Sequence, residues 1–277
     1  MKLLENIKRQ IPNLITLGNL LCGVVAIRYA LRAELDYAGL FICLGIFLDF
    51  FDGLTARLLK VSSPMGKELD SLADVVTSGV APAFIVYTIL DDGIGISFRA
   101  AGAGDYSQLM LYIPLIALLI PIFTAFRLAK FNIDEEQAHS FKGLPAPANA
   151  LIWVGVAFYL QGLYNQLPSD IHPFSTGYRM LPDSELQTVW HDGWGIAIAG
   201  VSLITNILMV SNLPMFSLKF NFKDLSWKTN AVQYIFLIGC ALIIGFTRQW
   251  YAISLIILWY ILLSLITQRK PAVNEQS

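Results

Sequence analysis

The chain has 277 residues, of which 56% are apolar and 14% charged, with a net charge of −1 and a mean hydropathy of +0.59. A soluble domain carries about 25% charged residues, so disordered, nucleic-acid-binding and disulfide-scaffold classes are excluded, and the near-neutral balance suggests no polyanionic partner. What remains is an all-α fold, a polytopic transmembrane helical bundle.

A helix needs about 20 apolar residues to cross the hydrocarbon layer. Taken in chain order, the apolar runs place eight spans: 12–33, 37–59, 66–90, 108–131, 145–165, 194–215, 231–247 and 250–268. Ser62, Ser63 and Pro64 break the chain between the second and third spans. The last two spans are short and separated only by Arg248 and Gln249, which suits a helical hairpin. The N-terminal Lys2–Arg9 stretch is either a short interfacial helix or a charged tail. The first apolar run is long and lacks a small-x-small cleavage site, so no signal peptide is expected. One membrane domain covers 1–277.

Basic residues set the orientation. Lys2, Lys8, Arg9, Arg57, Lys60, Lys67, Arg127, Lys130, Lys142, Lys219, Lys223, Lys228, Arg269 and Lys270 fall on one side of these spans. Only Arg28, Arg32, Arg99, Arg179 and Arg248 fall on the other. The richer side belongs in the cytoplasm, which places both termini there and turns the loops 91–107 and 166–193 outward. Cys22, Cys43 and Cys240 each lie inside an apolar run and read as small core residues. His139, His172 and His191 are too scattered for a zinc site.

The informative segment runs from Asp49 to Asp74. It reads Asp49-Phe-Phe-Asp52-Gly53-Leu-Thr-Ala56-Arg57, a gap, then Gly66-Lys-Glu-Leu-Asp70-Ser-Leu-Ala-Asp74. A carboxylate near lipid costs a few kcal/mol at least, so four of them need a compensating cation. Asp49 and Asp52 are i, i+3; Asp70 and Asp74 are i, i+4; each pair shares a helical face. A short turn makes the two helices antiparallel neighbours, and converging oxygen ligands select Mg²⁺ or Mn²⁺. Two such ions bridging phosphate oxygens would serve phosphoryl chemistry. Gly53, Ala56 and Gly66 leave room for a ligand against the backbone, and Arg57 can fork onto a phosphate. Taken alone, Gly53, Ala56 and Arg57 also fit ordinary helix packing.

The pattern D-x-x-D-G-x-x-A-R, then G-x-x-x-D-x-x-x-D, resembles the signature of the CDP-alcohol phosphatidyltransferases, with every position filled. The resemblance implies a six-helix core, a homodimer, and transfer of a phosphatidyl group from a CDP-lipid to an alcohol with release of CMP. It also implies Asp49, Asp52, Asp70 and Asp74 as metal ligands and Asp74 as the general base. Asp52, Gly53, Ala56, Arg57 and Gly66 would bind the CDP-lipid. Asn13, Thr16 and Asn19, polar at i, i+3 and i+6 on the first span, would line the nucleotide site or bond between helices.

Further stretches are similar to the integral-membrane phosphatidylserine synthase branch. They are Pro12–Gly23, Phe126–Asn132, Phe141–Ala150 and Leu208–Asn212. The resemblance covers about 11–220, the expected catalytic core, and leaves a C-terminal hairpin at about 230–268. The acceptor would be L-serine and the donor CDP-diacylglycerol. Arg127, Lys130 and Asn132 are expected to bind the serine carboxylate or a lipid phosphate, or else to be flanking charge. Phe50 and Phe51 read as lipid-facing, and Pro145 and Pro147 as the start of a helix. The competing readings are a glycerol-phosphate, inositol-phosphate or choline-type acceptor, an ether-lipid donor, an intramembrane prenyltransferase and a divalent-cation transporter.

Overall fold

The computed structural model describes residues 2–61, 63–100, 108–133, 142–165, 194–216 and 226–267. The expected outer loop 166–193, with Arg179, and the basic residues Lys219, Lys223, Arg269 and Lys270 lie outside the described residues. So do Phe141 and the three histidines.

Helix α1 spans Lys2–Ala30 without a break at Pro12, so the backbone of the N-terminal stretch is helical. A tight turn follows, in which Ala33 takes a left-handed φ of 55° and Arg32 pairs with Glu34 at 3.0 Å. Helix α2 (Leu35–Leu59) returns alongside α1. It ends on a left-handed Lys60, and the Val61 N–H donates to the Ala56 carbonyl at 3.0 Å. Ser63 then caps α3 (Pro64–Asp74): its Oγ accepts from the Gly66 N–H at 2.9 Å, and Pro64 fills the first turn.

Directly after Asp74 the helix widens into a π-helical stretch, Val75–Val80, then continues as α4 (Ala81–Ala100). Helix α4 runs past residue 91, where the sequence suggested a loop. The fourth span opens as a 3-10 helix, Gln108–Leu118, and continues as α5 (Leu119–Ile133). Helices α6 (Ala146–Tyr164), α7 (Trp194–Val210), α8 (Trp227–Thr247) and α9 (Ala252–Thr267) complete the bundle. The turn between α8 and α9 is closed by Arg248 at φ 49°, giving the expected hairpin.

Among the described residues, six segments are long and apolar enough to cross a membrane, while 195–210 and 252–267 are shorter. The short spans are thus the sixth and eighth, not the last two.

The packing is that of a membrane protein. Large apolar side chains point outward along the helices, among them Leu21, Leu40, Phe47, Phe50, Ile122, Phe126, Ile207 and Leu262. Small ones fill the seams: Ala26, Ala30, Ala38, Ala81, Ala150 and Ala157 join Leu35, Ile42 and Ile85 in the core between α1, α2, α4 and α6. In lipid there is no hydrophobic gain from bringing helices together, so close backbone approach supplies the contact. Gly23 and Gly45 show this. A Cβ at either would lie about 2.5 Å from the Thr77 side chain, so glycine there lets α1 and α2 close on the π-helical stretch. The hairpin is held to α6 by the same device, Gly155 lying against Ser254 of α9, whose hydroxyl donates to the Ile152 carbonyl. The three cysteines are buried or half-buried and unbridged.

Candidate active site

The tight α2–α3 turn brings the two acidic pairs together. One carboxylate oxygen from each of Asp49, Asp52 and Asp70 lies within 4.8 Å of the others. At that separation ionised carboxylates repel one another, and a cation among them would relieve the repulsion. Asp52 is buried, and its Oδ2 accepts from the Thr16 hydroxyl at 2.7 Å; that hydroxyl also lies 3.0 Å from the Pro12 carbonyl. Asp70 Oδ1 is buried without a partner among the described residues. Three convergent carboxylates, one with a free buried oxygen, fit a hard divalent cation.

Asp74 stands one helical turn beyond Asp70 and outside that trio, although Asp49 lies within reach of its charge. Its Oδ1 accepts from Asn19 Nδ2 at 3.3 Å, and Asn19 is fully buried. Among the described residues, Asp74 alone of the four aspartates has a cation, Arg127, as an electrostatic neighbour.

A cavity of about 240 Å³ opens beside the trio. Pro12, Asn13 and Thr16 of α1 line one wall, and Asp52, Gly53 and Ala56 of α2 another. Val61 and Ser63 of the turn, with Gly66, Lys67 and Asp70 of α3, close it. A Cβ at Gly53 would meet nothing within 4 Å, whereas one at Gly66 would lie 3.1 Å from Asn13 Oδ1. Gly53 therefore widens the cavity, and Gly66 lets α1 and α3 meet.

Six of the seven residues expected to bind the CDP-lipid share this cavity. Arg57 does not. Its Nε donates to the Gly53 carbonyl one turn back at 3.0 Å, and the side chain is exposed. The residue that brings positive charge to the wall is Lys67, which the sequence reading counted only as flanking charge. Its spacing of i, i+3 to Asp70 could have revealed it. Lys67 Nζ also donates to the Asn132 carbonyl at 3.3 Å.

The three expected acceptor-binding residues separate. Arg127 is buried in α5, its Nε without a partner among the described residues, facing Asp74 and Tyr260. Lys130 instead donates to Asn212 Oδ1 at 3.1 Å, and Asn132 Nδ2 donates to Ser71 Oγ at 2.8 Å. Both lie near the end of α5, where they tie it to the chain after α7 and to α3. Two other signature stretches meet there. The Gly143 N–H donates to Leu213 O at 2.8 Å and the Leu144 N–H to Leu208 O at 2.9 Å. Gly143 has φ +76°, and a Cβ on it would lie 2.5 Å from the Met209 carbonyl, so only glycine fits.

Comparison with known proteins agrees with this geometry. A family model described as CDP-alcohol phosphatidyltransferase matches residues 9–182, which include the trio and its cavity. A Bacillus subtilis protein named CDP-diacylglycerol--serine O-phosphatidyltransferase is 40% identical over 148 residues, 53% of this chain and 75% of that one. A Helicobacter pylori protein of the same name is 29% identical over 92% of this chain and 89% of its own length. An archaetidylserine synthase from Methanothermobacter thermautotrophicus is 28% identical over 68% of this chain and 73% of its own. The chain is an integral membrane protein that belongs to the CDP-alcohol phosphatidyltransferase family.

Proposed function

We propose that the chain is a CDP-diacylglycerol–serine O-phosphatidyltransferase, moving a phosphatidyl group to L-serine with release of CMP. The observation that carries this reading is the convergent trio of Asp49, Asp52 and Asp70, suited to a cation-bound pyrophosphate. Asp74 stands one turn beyond it, with the buried Arg127, suited to an amino acid's carboxylate, among its electrostatic neighbours. The serine-synthase names of the relatives support the choice of acceptor.

In this reading the serine hydroxyl oxygen attacks the phosphorus that carries diacylglycerol. The bond from that phosphorus to the bridging oxygen breaks, and CMP leaves with the electron pair. Asp74 takes the hydroxyl proton, since it faces the acceptor side and stands outside the trio. Asn19 fixes the orientation of its carboxylate, and Thr16 does the same for Asp52. Arg127 binds the serine carboxylate. Asn13, Thr16, Gly53, Ala56, Gly66 and Lys67 form the wall against which the CDP headgroup rests. Asp49, Asp52 and Asp70 would hold Mg²⁺ or Mn²⁺, with Asp74 at hand for a second ion, and the bound metal would supply charge neutralisation at the pyrophosphate and leaving phosphate.

The excess of lysine and arginine beside these helix ends supports a cytoplasmic active site and cytoplasmic termini. CDP-diacylglycerol would keep its acyl tails in the bilayer and its nucleotide at that boundary. The functional unit is a homodimer, with a core at about 11–220 and the hairpin appended.

The test is CMP release by the purified protein given CDP-diacylglycerol, Mg²⁺ or Mn²⁺, and a panel of alcohols. Release with L-serine alone is expected. Release with glycerol 3-phosphate alone overturns the choice of acceptor, and turnover only with an ether-linked CDP-lipid overturns the choice of donor.

A further inference from the structure

Buried amides without partners are rare, because each costs on the order of 1–3 kcal/mol unless something satisfies it. Two occur here on helices that pack against each other. Asn149 on α6 and Asn206 on α7 are 0% and 1% exposed, and neither the Nδ2 nor the Oδ1 of either has a partner among the described residues.

Their place in the fold is specific. The Leu144–Leu208 hydrogen bond joins the start of α6 to the end of α7. Asn149 follows the start of α6 by three residues, and Asn206 precedes Leu208 by two. Both therefore lie within about one turn of that bond. Helix α5 packs against both helices and contributes Arg127, whose buried Nε is also unpartnered. Tyr260, an electrostatic neighbour of Arg127, belongs to the same side-chain cluster as Leu144 and Met209. Three packed helices thus carry five polar atoms without partners among the described residues, and Asp74 is an electrostatic neighbour of Arg127.

We propose that Asn149 and Asn206 complete the acceptor subsite with Arg127 and determine its specificity by binding the zwitterionic end of the amino acid. The chemistry matches. An asparagine amide offers a carbonyl oxygen to an ammonium group and an NH₂ to a carboxylate. Arg127 supplies the fixed positive charge, and no carboxylate other than Asp74 is among its electrostatic neighbours. A substrate with both charges satisfies all three side chains, whereas an alcohol lacking one charge leaves a buried group unpaired. Such a site rejects the incomplete analogue strongly. The inference rests on the serine-transfer reading and adds two residues to it.

The experiment measures CMP release by the full-length protein in lipid vesicles, with L-serine, ethanolamine or 3-hydroxypropionate as acceptor. For the wild-type protein, each truncated acceptor is expected to react with kcat/KM at least about 100-fold below L-serine. Asn149→Ala and Asn206→Ala are each expected to raise the KM for L-serine by about tenfold, leave the KM for CDP-diacylglycerol within about twofold, and narrow the preference over ethanolamine. The milder Asn149→Ser and Asn206→Ser provide the same reading if the alanine variants do not fold. An unchanged serine KM in the variants overturns the inference while serine transfer stands, and assigns the amides to internal water. Ethanolamine used as well as serine by the wild type also overturns it. No turnover with serine at all overturns the serine-transfer reading as well.

Discussion

Asn19 of α1 donates to Asp74 of α3 at 3.3 Å, and its own carbonyl oxygen accepts from the Thr77 hydroxyl at 3.0 Å. A single buried residue therefore joins the first helix to the proposed base and to the π-helical stretch behind it. The extra backbone width at Val75–Val80 follows Asp74 directly, and such widened turns are frequent at functional sites. Asp74 is held from a neighbouring helix and lies apart from the three carboxylates suited to the cation.

Asp74→Asn should abolish transfer while CDP-lipid binding persists. The loss in kcat should be at least 10²-fold, in the range of a removed general base. Lipid binding can be followed by the shift in melting temperature that CDP-diacylglycerol produces. Substantial turnover by this variant would remove Asp74 as the base.

Thr16→Val keeps the shape of the side chain and removes the hydroxyl that lies 2.7 Å from Asp52. Partners behind a metal ligand typically contribute 10–100-fold to metal affinity. The Mn²⁺ concentration for half-maximal activity should rise by about tenfold or more, with the rate at saturating Mn²⁺ largely kept. An unchanged Mn²⁺ requirement would show that Thr16 does not tune the site.

Lys67→Ala removes the positive charge from the cavity wall and the tie to Asn132. The KM for CDP-diacylglycerol should rise by about 3–10-fold, equivalent to roughly 0.7–1.4 kcal/mol of a partly exposed charge interaction. The KM for serine should move less. Equal changes in both would point to a general loosening of the α3–α5 contact.

Gly143→Ala forces a side chain into a left-handed backbone position that is crowded by the carbonyls of Leu208, Met209 and Ser211. The cost should be about 1–3 kcal/mol, read as a lower melting temperature of the full-length protein in detergent. An unchanged melting temperature would mean that the α6–α7 junction relaxes freely.

The legible parts of the sequence were those governed by helical period and by turn chemistry. The i, i+3 and i, i+4 spacings of the aspartates gave the convergence of Asp49, Asp52 and Asp70, because Ser63 and Pro64 forced a tight reversal between their helices. The apolar helices were readable from length, six of them among the described residues being long enough to cross a membrane. Arg57 stays an expectation for the CDP-lipid: its motif position gave no hint that its Nε would bond to its own helix at Gly53. The bonds of Lys130 and Asn132 to Asn212 and Ser71 were not legible, because those partners come from distant elements. Asn149 and Asn206 carry no local mark of complete burial; only the packed bundle shows it. The π-helical stretch has no marker in Val-Val-Thr-Ser-Gly-Val that separates it from an ordinary helix.

The claim on which the rest depends is that Asp49, Asp52 and Asp70 jointly hold a divalent cation. Mn²⁺ titrated into the full-length protein in lipid nanodiscs and followed by electron paramagnetic resonance tests it directly, with Asp70→Asn as the comparison. Saturable binding by the wild type, weakened at least about tenfold in Asp70→Asn, is the predicted result. Equal Mn²⁺ affinity in the two proteins, or no saturable binding by the wild type, would contradict it.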